Sequence, residues 1–316
     1  MIQNNHYTGL ALSPSPFHLE NTWCVLKENK NHNCTHAEID TLTAKGLLNG
    51  VDFEIMKLLS VYPFVNTYNL EYALLHRMSE FYQKSEYTKN LRKLVKAGIL
   101  IKYCLADKTL GDEPMIVSPF RFYSLSPGAY SYMSSFIDNP HNIQFRLRDS
   151  QMIELLSVVQ LLIHTEVAYP SCIKKQRLCV RKKIGNKQVV IPAYFVFQTD
   201  KEQPPLHLLI LSGRAEQSSR ERLIGDIQTL FEWLDKNEEP YRNYMVLLLL
   251  ETLHEIPIVH SQITNSRIRG KLHPVYYALD TNLLTHPLFD CIYQCEELDG
   301  KPHIDRIRFR ITRTDS

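Results

Sequence analysis

The sequence lacks the short motifs that mark the common nucleotide-binding and hydrolytic enzymes. It has neither a Walker A loop nor a G-x-G-x-x-G run, and it has no G-x-S-x-G elbow around a serine nucleophile. An ATPase, kinase, dehydrogenase or hydrolase of the usual types is therefore not expected, and we expect no cofactor.

Patterns typical of disulfides and metal sites are also missing. The seven cysteines are odd in number and irregularly spaced, which indicates reduced thiols and a cytoplasmic location. Cys24, Cys34 and His36 form only a loose group, and Cys291 and Cys295 have no second pair nearby. Structural zinc sites use tightly spaced pairs of ligands, so we expect no bound metal.

Long apolar runs are absent as well. The longest, Met245–Leu250, is far shorter than the about 20 residues that a membrane-spanning helix needs, and it predicts a buried strand. The first residues show neither the basic nor the apolar region of a signal peptide. We therefore expect a cytoplasmic protein that does not contact a membrane.

Positive charge is unevenly distributed along a chain whose net charge is only +2. Residues 84–102 hold six Lys or Arg against one Glu, residues 174–187 hold seven and no acidic residue, and residues 200–255 are acidic. This segregation favours basic surfaces that bind a polyanion, with ordinary solvated faces as the alternative.

Residues 84–125 predict a helix followed by two strands. Wound as a helix, residues 84–98 separate into an apolar face and a basic face. The apolar face holds Tyr87, Leu91, Leu94 and Val95, and the basic face holds Lys89, Asn90, Arg92, Lys93 and Lys96. Ser85 is the candidate N-cap, Gly98 the candidate stop, and strands follow at 99–104 and 120–125.

Two shorter helices are predicted before this one, at 53–61 with Asp52 as its cap and at 70–78 with Asn66 or Thr67 as its cap. Leu91-x-x-Leu94-x-x-x-Gly98-Ile99-Leu100 and Tyr123-Ser124-Leu125-Ser126-Pro127-Gly128 resemble segments of many bacterial winged-helix proteins. The resemblance covers about residues 50–135 and implies a recognition helix that enters the major groove of duplex DNA.

Ten residues are the candidate DNA contacts. Lys89, Asn90, Arg92 and Lys93 are expected to read bases, and Lys84 and Lys96 to hold phosphates. The remaining four are Tyr87 on the same helix, Lys108 in the wing, and Lys182 and Lys183 in a basic hairpin expected to bind without sequence preference.

After a linker expected at 138–142, the predicted order is a helix from Asp149 or Ser150, three strands (177–182, 189–197, 206–211), a helix (216–234) and a strand (244–250). This order resembles the core of PD-(D/E)xK nucleases. A winged helix followed by such a core is similar to the replication-relaxation family encoded by plasmids and conjugative elements. That similarity implies a role in plasmid replication, in transfer, or in their regulation.

The nuclease chemistry does not carry over. Hydrolysis of this kind needs a metal held by two acidic residues and a lysine, but Ala193, Leu211 and Gly213 stand at the expected positions. We therefore expect a degenerate, binding-only domain. The alternatives are a diverged nuclease that uses Asp200, Glu216 or Asp226, and an adaptor whose winged helix binds protein.

Further strands are predicted at 275–279 and 304–311. In the last of these, Arg306, Arg308 and Arg310 share one face and either bind phosphates or protect an edge strand.

The expected fold is therefore α+β. It comprises an irregular segment at 1–49 apart from a short helix around 35–48, a winged helix at 50–137, and a restriction-endonuclease-like α/β domain with a mixed sheet at 138–316. The expected partner is double-stranded DNA. The pattern leaves room for a protein partner on the second domain and for an oligomer.

Overall fold

The computed structural model describes residues 15, 17–18, 23–28, 33–78, 84–109, 111, 113–138, 140–141, 147–198, 202, 204–214, 217–236, 243–266, 273–307 and 309. Within them the chain forms a mixed α+β structure with two sheets, one of four strands and one of seven.

The smaller sheet and five helices come from the first part of the chain. Its elements are β1 (Trp23–Lys27), α1 (His36–Ala44), α2 (Gly50–Val61), β2 (Val65–Asn66), α3 (Thr67–Arg77), α4 (Lys84–Lys96), β3 (Leu100–Asp107), β4 (Met115–Leu125) and α5 (Pro127–Ser134). The strands lie in the order β1-β3-β4-β2, and each neighbouring pair is antiparallel.

Polar caps fix where these helices begin. The Asn49 side chain accepts a hydrogen bond from the Asp52 amide (3.0 Å), and the Asp52 carboxylate accepts one from the Asn49 amide (2.7 Å). This capping box makes Asn49 the N-cap, three residues before Asp52, so the expectation that Asp52 caps α2 is wrong. Asn66 caps α3 as expected, and Gly98, with a φ of 70°, follows the end of α4.

The segment before residue 50 is more regular than expected in its described part. Helix α1 begins after Thr35, which forms a capping box with Glu38, and it confirms the expected helix in this region. Strand β1 was not expected. It exists because it pairs with β3, with Trp23 opposite Asp107, and such long-range pairing leaves no local signal in the sequence.

The larger sheet comes from the second part of the chain. Its elements are α6 (Asp149–Ala168), β5 (Ile173–Ile184), β6 (Lys187–Phe197), β7 (Leu206–Ser212), α7 (Gln217–Lys236), β8 (Tyr244–Leu250), α8 (Glu255–Asn265), β9 (Val275–Leu279), β10 (Ile292–Leu298) and β11 (Lys301–Ile307). The strand order is β11-β10-β9-β8-β7-β6-β5. Strands β7, β8 and β9 are parallel and the other neighbours antiparallel, which confirms a mixed sheet.

Side chains of the sheet alternate between two cores. Leu208 and Ile210 of β7 belong to the core that contains α6, whereas Leu209 and Leu211 belong to the core that contains α7 and α8. The parallel strands are therefore covered on both faces, as their continuous apolar sequences require.

Helix α6 also packs against the first part of the chain. Its His164 stacks on Tyr72 of α3 with ring centroids 4.5 Å apart, and His164 Nε2 lies 3.2 Å from Asn69 Oδ1. The core around α6 continues from Leu70 of α3 to Leu247 of β8. By length and composition α6 is apolar enough to cross a membrane, but 72% of its apolar window is buried inside the protein, as in a core helix of a soluble protein.

Part of the expected linker at 138–142 is packed against the first part of the chain. His141 is buried, its amide donates to the Ser60 carbonyl oxygen (2.9 Å), and its carbonyl accepts from the Tyr130 hydroxyl. The described residues of this segment are therefore held in place, while the domain boundary itself stays a prediction.

The C-terminal strand lies at one edge of the larger sheet. Arg306 Nε donates to the carbonyl oxygen of Asp290 (2.7 Å), so this side chain is already used within the fold. Arg308 and Arg310, which were expected to extend an arginine row, lie outside the described residues.

Two buried histidines predict a loss of stability in acid. Burial lowers the pKa of His164 and of His141 to about 4 from the ordinary 6.5. Between these values the unfolded chain binds more protons than the folded protein, so the free energy of unfolding falls as the pH drops from about 6.5 to 4. We expect His164→Gln to reduce this fall by about 3 kcal/mol in urea unfolding at the two pH values.

His254 is exposed and provides the matched control. His254→Gln should leave the pH dependence of unfolding as in wild type. If wild type and His164→Gln lose the same free energy between the two pH values, the assignment of a neutral, buried His164 is wrong.

Candidate nucleic-acid interface

Helix α4 has one face in the core and one in solvent. Tyr87, Leu91 and Leu94 are buried. The exposed stripe consists of Thr88, Lys89, Arg92 and Lys96. The spacing of Lys89, Arg92 and Lys96 (i, i+3, i+7) brings the three cations onto one side of the helix over about 10 Å.

Tyr87 is an anchor and not a surface residue. Its side chain is 2% exposed, and its hydroxyl donates to the carbonyl oxygen of Thr67 (2.9 Å) at the start of α3. The expectation that Tyr87 contacts DNA is therefore wrong. An aromatic ring at helical spacing with leucines belongs to the core here.

Asn90 and Lys93 both bond to the capped end of α2. Asn90 is 6% exposed, and its Nδ2 donates to Asn49 Oδ1 (3.4 Å). Lys93 forms an ion pair with the fully buried Asp52, but its own side chain is 35% exposed. Both were expected to read bases. The burial of Asn90 contradicts this for Asn90, whereas the role of Lys93 stays a prediction. Together they fix α4 against the capped end of α2.

Most of the other cations of α4 and the β3–β4 hairpin are exposed. Among the described residues, Lys89, Arg92 and Lys96 have no carboxylate within 4 Å. Lys108, just after β3, is also exposed. Closer to the body of the protein, Lys102 and Arg121 both pair with Glu28 at 2.5 Å. The side chain of Lys84 lies outside the described part of the chain.

The apolar side chains of β5, in the basic hairpin formed with β6, switch from one face of the sheet to the other halfway along the strand. Cys179 has a φ of 50°, and the flanking pairs leave it opposite Pro192. Leu178 packs in the core of α6, whereas Val180 and Ile184 pack in the core of α7. We infer that the positive φ of Cys179 produces this switch.

This switch turns the side chain of Lys182 toward α7. Its Nζ lies 4.2 Å from the centroid of the Trp233 ring, and the expectation that it binds DNA stays a prediction. Burial lowers its pKa, and the nearby Arg177 adds to the effect. Lys187 pairs with Glu232 of the same helix (2.7 Å), while Lys183 is exposed.

The residues compared with a nuclease motif lie on both sides of the sheet. Leu211 packs on the α7 side, and a Cβ on Gly213 would lie 2.6 Å from the Leu223 side chain of α7. Ser212 and Arg214 face the α6 side, where they bond to Ser157. Ala193 is buried on the α6 side. The comparison with a nuclease motif stays a prediction.

A buried charge cluster occupies the carboxyl ends of the three parallel strands. Arg214 follows β7, Glu251 follows β8 and Asp280 follows β9. Arg214 Nη1 donates to Asp280 Oδ2 (2.6 Å) and lies 3.9 Å from Glu251 Oε1. Its Nη2 donates to Ser212 Oγ (2.8 Å) and to Ser157 Oγ of α6.

The N-terminal segment closes one side of this cluster. Ser15 Oγ donates to Asp280 Oδ2 (2.8 Å), and His18 Nδ1 lies 2.7 Å from Glu251 Oε2. Phe17 between them is fully buried. The cluster therefore ties Ser15 to the end of β9 and His18 to the end of β8.

A second group of charges lies beside the first. Glu154 of α6 accepts a hydrogen bond from Ser219 Oγ (2.9 Å) and pairs with Arg222 of α7. Burial raises the pKa of Glu154, against the effect of Arg222, and raises the pKa of Asp280 to about 6, against the effect of Arg214.

The carboxyl ends of parallel strands are a frequent ligand position, but this one is filled by the protein itself. The guanidinium of Arg214 takes the place that a bound cation would need, and arginine does not release a proton near neutral pH. Within the described residues no group of three His, Cys, Asp or Glu is arranged to hold a metal. The sequence places Arg214, Glu251 and Asp280 just after three predicted strands. It does not show that Arg214 pairs with Asp280, because the two residues are 66 positions apart in the chain.

Removal of Arg214 should therefore act on stability. Arg214→Met leaves Asp280 buried without its counter-charge, so we expect the free energy of unfolding in urea to drop by about 3–5 kcal/mol. The double variant with Asp280→Asn should regain part of this loss, because one uncompensated charge is removed.

Arg181 of β5 is exposed, so Arg181→Met is the control and should unfold as wild type does. A single Arg214→Met variant that unfolds at the wild-type urea concentration would show that the cluster does not hold the strand ends together.

Comparison with known proteins assigns no family. No family model matches the chain, and neither a curated protein nor a solved structure matches it.

Proposed function

We propose that this chain is a non-catalytic DNA-binding protein that reads duplex DNA with the exposed face of α4. The observation that carries the proposal is the stripe of Lys89, Arg92 and Lys96 on a helix whose other side is fixed by Tyr87 and Asn90. A rigidly held helix with outward cations is what major-groove recognition uses.

The surrounding elements support a winged-helix domain at 50–137. Helices α2, α3 and α4 are followed by the β3–β4 hairpin, and β2 between the first two helices joins β4 as the third strand. In such domains the third helix contacts bases and the hairpin contacts the adjoining backbone. Lys108 at the far end of the hairpin is the exposed cation suited to that contact.

The roles within the stripe follow from chemistry. Arg92 lies in the middle and can form a bidentate pair with guanine, which contributes ~1–3 kcal/mol of discrimination. Lys89 and Lys96 flank it and are suited to phosphates, since an ammonium group is a point charge without a fixed hydrogen-bonding direction. Thr88 is the exposed neutral residue of the same stripe.

The second part of the chain supports a degenerate nuclease-like domain. Helix α6, the antiparallel strands β5, β6 and β7, helix α7 and the parallel strand β8 follow in the order expected for that fold. The nuclease alternative uses Asp200, Glu216 or Asp226. Burial raises the pKa of Asp226 to about 6, and Asp200 and Glu216 lie outside the described residues.

The combination of these two domains supports a role in a bacterial mobile element. The layout is similar to the replication-relaxation proteins of plasmids and conjugative elements, and the role proposed is in plasmid replication, in transfer, or in their regulation.

Selection of bound duplexes from a random pool, followed by measurement of affinity, tests the proposal. We expect Arg92→Ala to lose preference for the selected duplex over random DNA by ~1–3 kcal/mol. Lys96→Ala should weaken both duplexes alike and reduce the salt slope by about one.

Lys236, exposed at the end of α7, supplies the control, and Lys236→Ala should bind as wild type. If a folded triple variant (Lys89→Ala, Arg92→Ala and Lys96→Ala) binds the selected duplex with wild-type affinity, the DNA-reading proposal fails. A protein-binding adaptor is then the favoured function. Cleavage of the duplex by wild type in Mg²⁺ would contradict the non-catalytic part of the proposal.

A further inference from the structure

A basic cleft lies between the two parts of the chain. It has a volume of about 920 Å³. Its walls come from the ends of α2 and α3, from residues 136–138 and 140–141, and from Glu166 of α6 with the first half of β5. Asn90 and Lys93 of α4 bond to Asn49 and Asp52 at the start of α2, whereas the cleft is lined by the end of α2 from Lys57 onward.

The residues that line the cleft carry an excess of positive charge. Five of them are cationic and two are acidic, which leaves three net positive charges. The cationic residues are Lys57, Arg77, Lys174, Lys175 and Arg177, and the acidic ones are Asp138 and Glu166. His141, also in the lining, stays neutral near pH 7, because burial lowers its pKa to about 4.

One of the two carboxylates is already compensated by the protein. Glu166 Oε1 lies 2.7 Å from Arg77 Nη2, and Glu166 Oε2 accepts a hydrogen bond from the Tyr62 hydroxyl. Gln176 Nε2 of β5 donates to that same hydroxyl (3.2 Å). This chain of bonds joins the two walls of the cleft, so the cleft does not depend on a ligand to hold its shape.

The cations of β5 are outside this chain of bonds. Lys174, Lys175 and Arg177 are exposed, and among the described residues none has a carboxylate within 4 Å. Lys174 Nζ donates to the Ser171 carbonyl oxygen (2.9 Å), a contact that leaves its charge uncompensated. Strand β5 is at the edge of the sheet, so one side of its backbone is open as well.

An exposed aromatic ring completes the site. Phe136 lines the cleft and is 69% exposed, with its ring centroid 5.2 Å from that of Tyr132. Cations beside an exposed aromatic ring, in a concave site, form the arrangement that binds single-stranded nucleic acid. Phosphates pair with the cations and a base stacks on the ring. A duplex presents only the edges of its bases in its grooves, so it offers no base face to stack on the ring.

We propose that this cleft binds a short stretch of single-stranded nucleic acid, independently of the duplex contact proposed for α4. The phosphates lie against Lys174, Lys175 and Arg177, and a base stacks on Phe136. The proposal goes beyond duplex reading and does not require it.

The test uses the full chain and a fluorescent twelve-residue oligothymidylate, with anisotropy as the readout. Lys174→Glu combined with Lys175→Glu should weaken oligonucleotide binding by about tenfold or more, since two phosphate contacts are replaced by repulsion. Phe136→Ala should weaken it by about fivefold or more through loss of stacking. An abasic oligonucleotide should bind wild type and Phe136→Ala equally.

The matched control lies farther along the same strand. Arg181→Glu combined with Lys183→Glu changes the charge equally at exposed positions outside the cleft, and it should leave oligothymidylate binding unchanged. All variants should melt at the wild-type temperature. The α4 triple variant should keep its affinity for the oligonucleotide, so a failure of the duplex proposal remains distinguishable.

Three results would overturn the inference. The first is wild-type protein that does not bind oligothymidylate. The second is an equal loss in the cleft and control double variants, which would show that only overall charge matters. The third is displacement of the oligonucleotide by polyglutamate at equal charge concentration, which would indicate an acidic protein partner in the cleft.

Discussion

The position of the apolar helix α6 determines how the rest of the chain is arranged. One side of α6 packs on the larger sheet and the other meets α3, where His164 stacks on Tyr72. A helix this apolar is stable in water only if both of its sides are covered. Each Å² of apolar surface removed from water stabilises the fold by about 25 cal/mol. The two parts of the chain therefore share a core, and the cleft lined by α2 and β5 lies where that shared core ends.

In the part of the chain that the structure describes, cations inside the protein are paired, whereas those on two of its surfaces are not. The buried Arg214 meets Asp280, and the half-buried Lys93 and Lys182 meet Asp52 and the Trp233 ring. Among the described residues, the exposed cations Lys89, Arg92 and Lys96 of α4 and those in the first half of β5 have no such compensation. Uncompensated cations on a rigid helix, and in a recess with an exposed ring, are the two features on which the functional account depends.

Much of the second sheet could be predicted, because its signals are local. Strands β8 and β9 match their predicted bounds, since apolar runs bounded by polar residues mark buried strands. The direction in which individual side chains point was harder to predict from the sequence. Asn90 and Arg92 both fell on the predicted basic face, but only packing against Asn49 shows that Asn90 faces inward. The face switch at Cys179 and the pairing of Arg214 with Asp280 likewise depend on contacts that no local pattern contains.

Photo-crosslinking tests most directly whether the exposed face of α4 contacts DNA. A photoreactive phenylalanine analogue would replace Thr88, which lies on that face, or Ile258, which is 44% exposed on α8. The account predicts that irradiation with a bound, selected duplex crosslinks DNA at position 88 and not at position 258. Crosslinking at position 258 alone, from a protein that binds the duplex with wild-type affinity, would contradict the account.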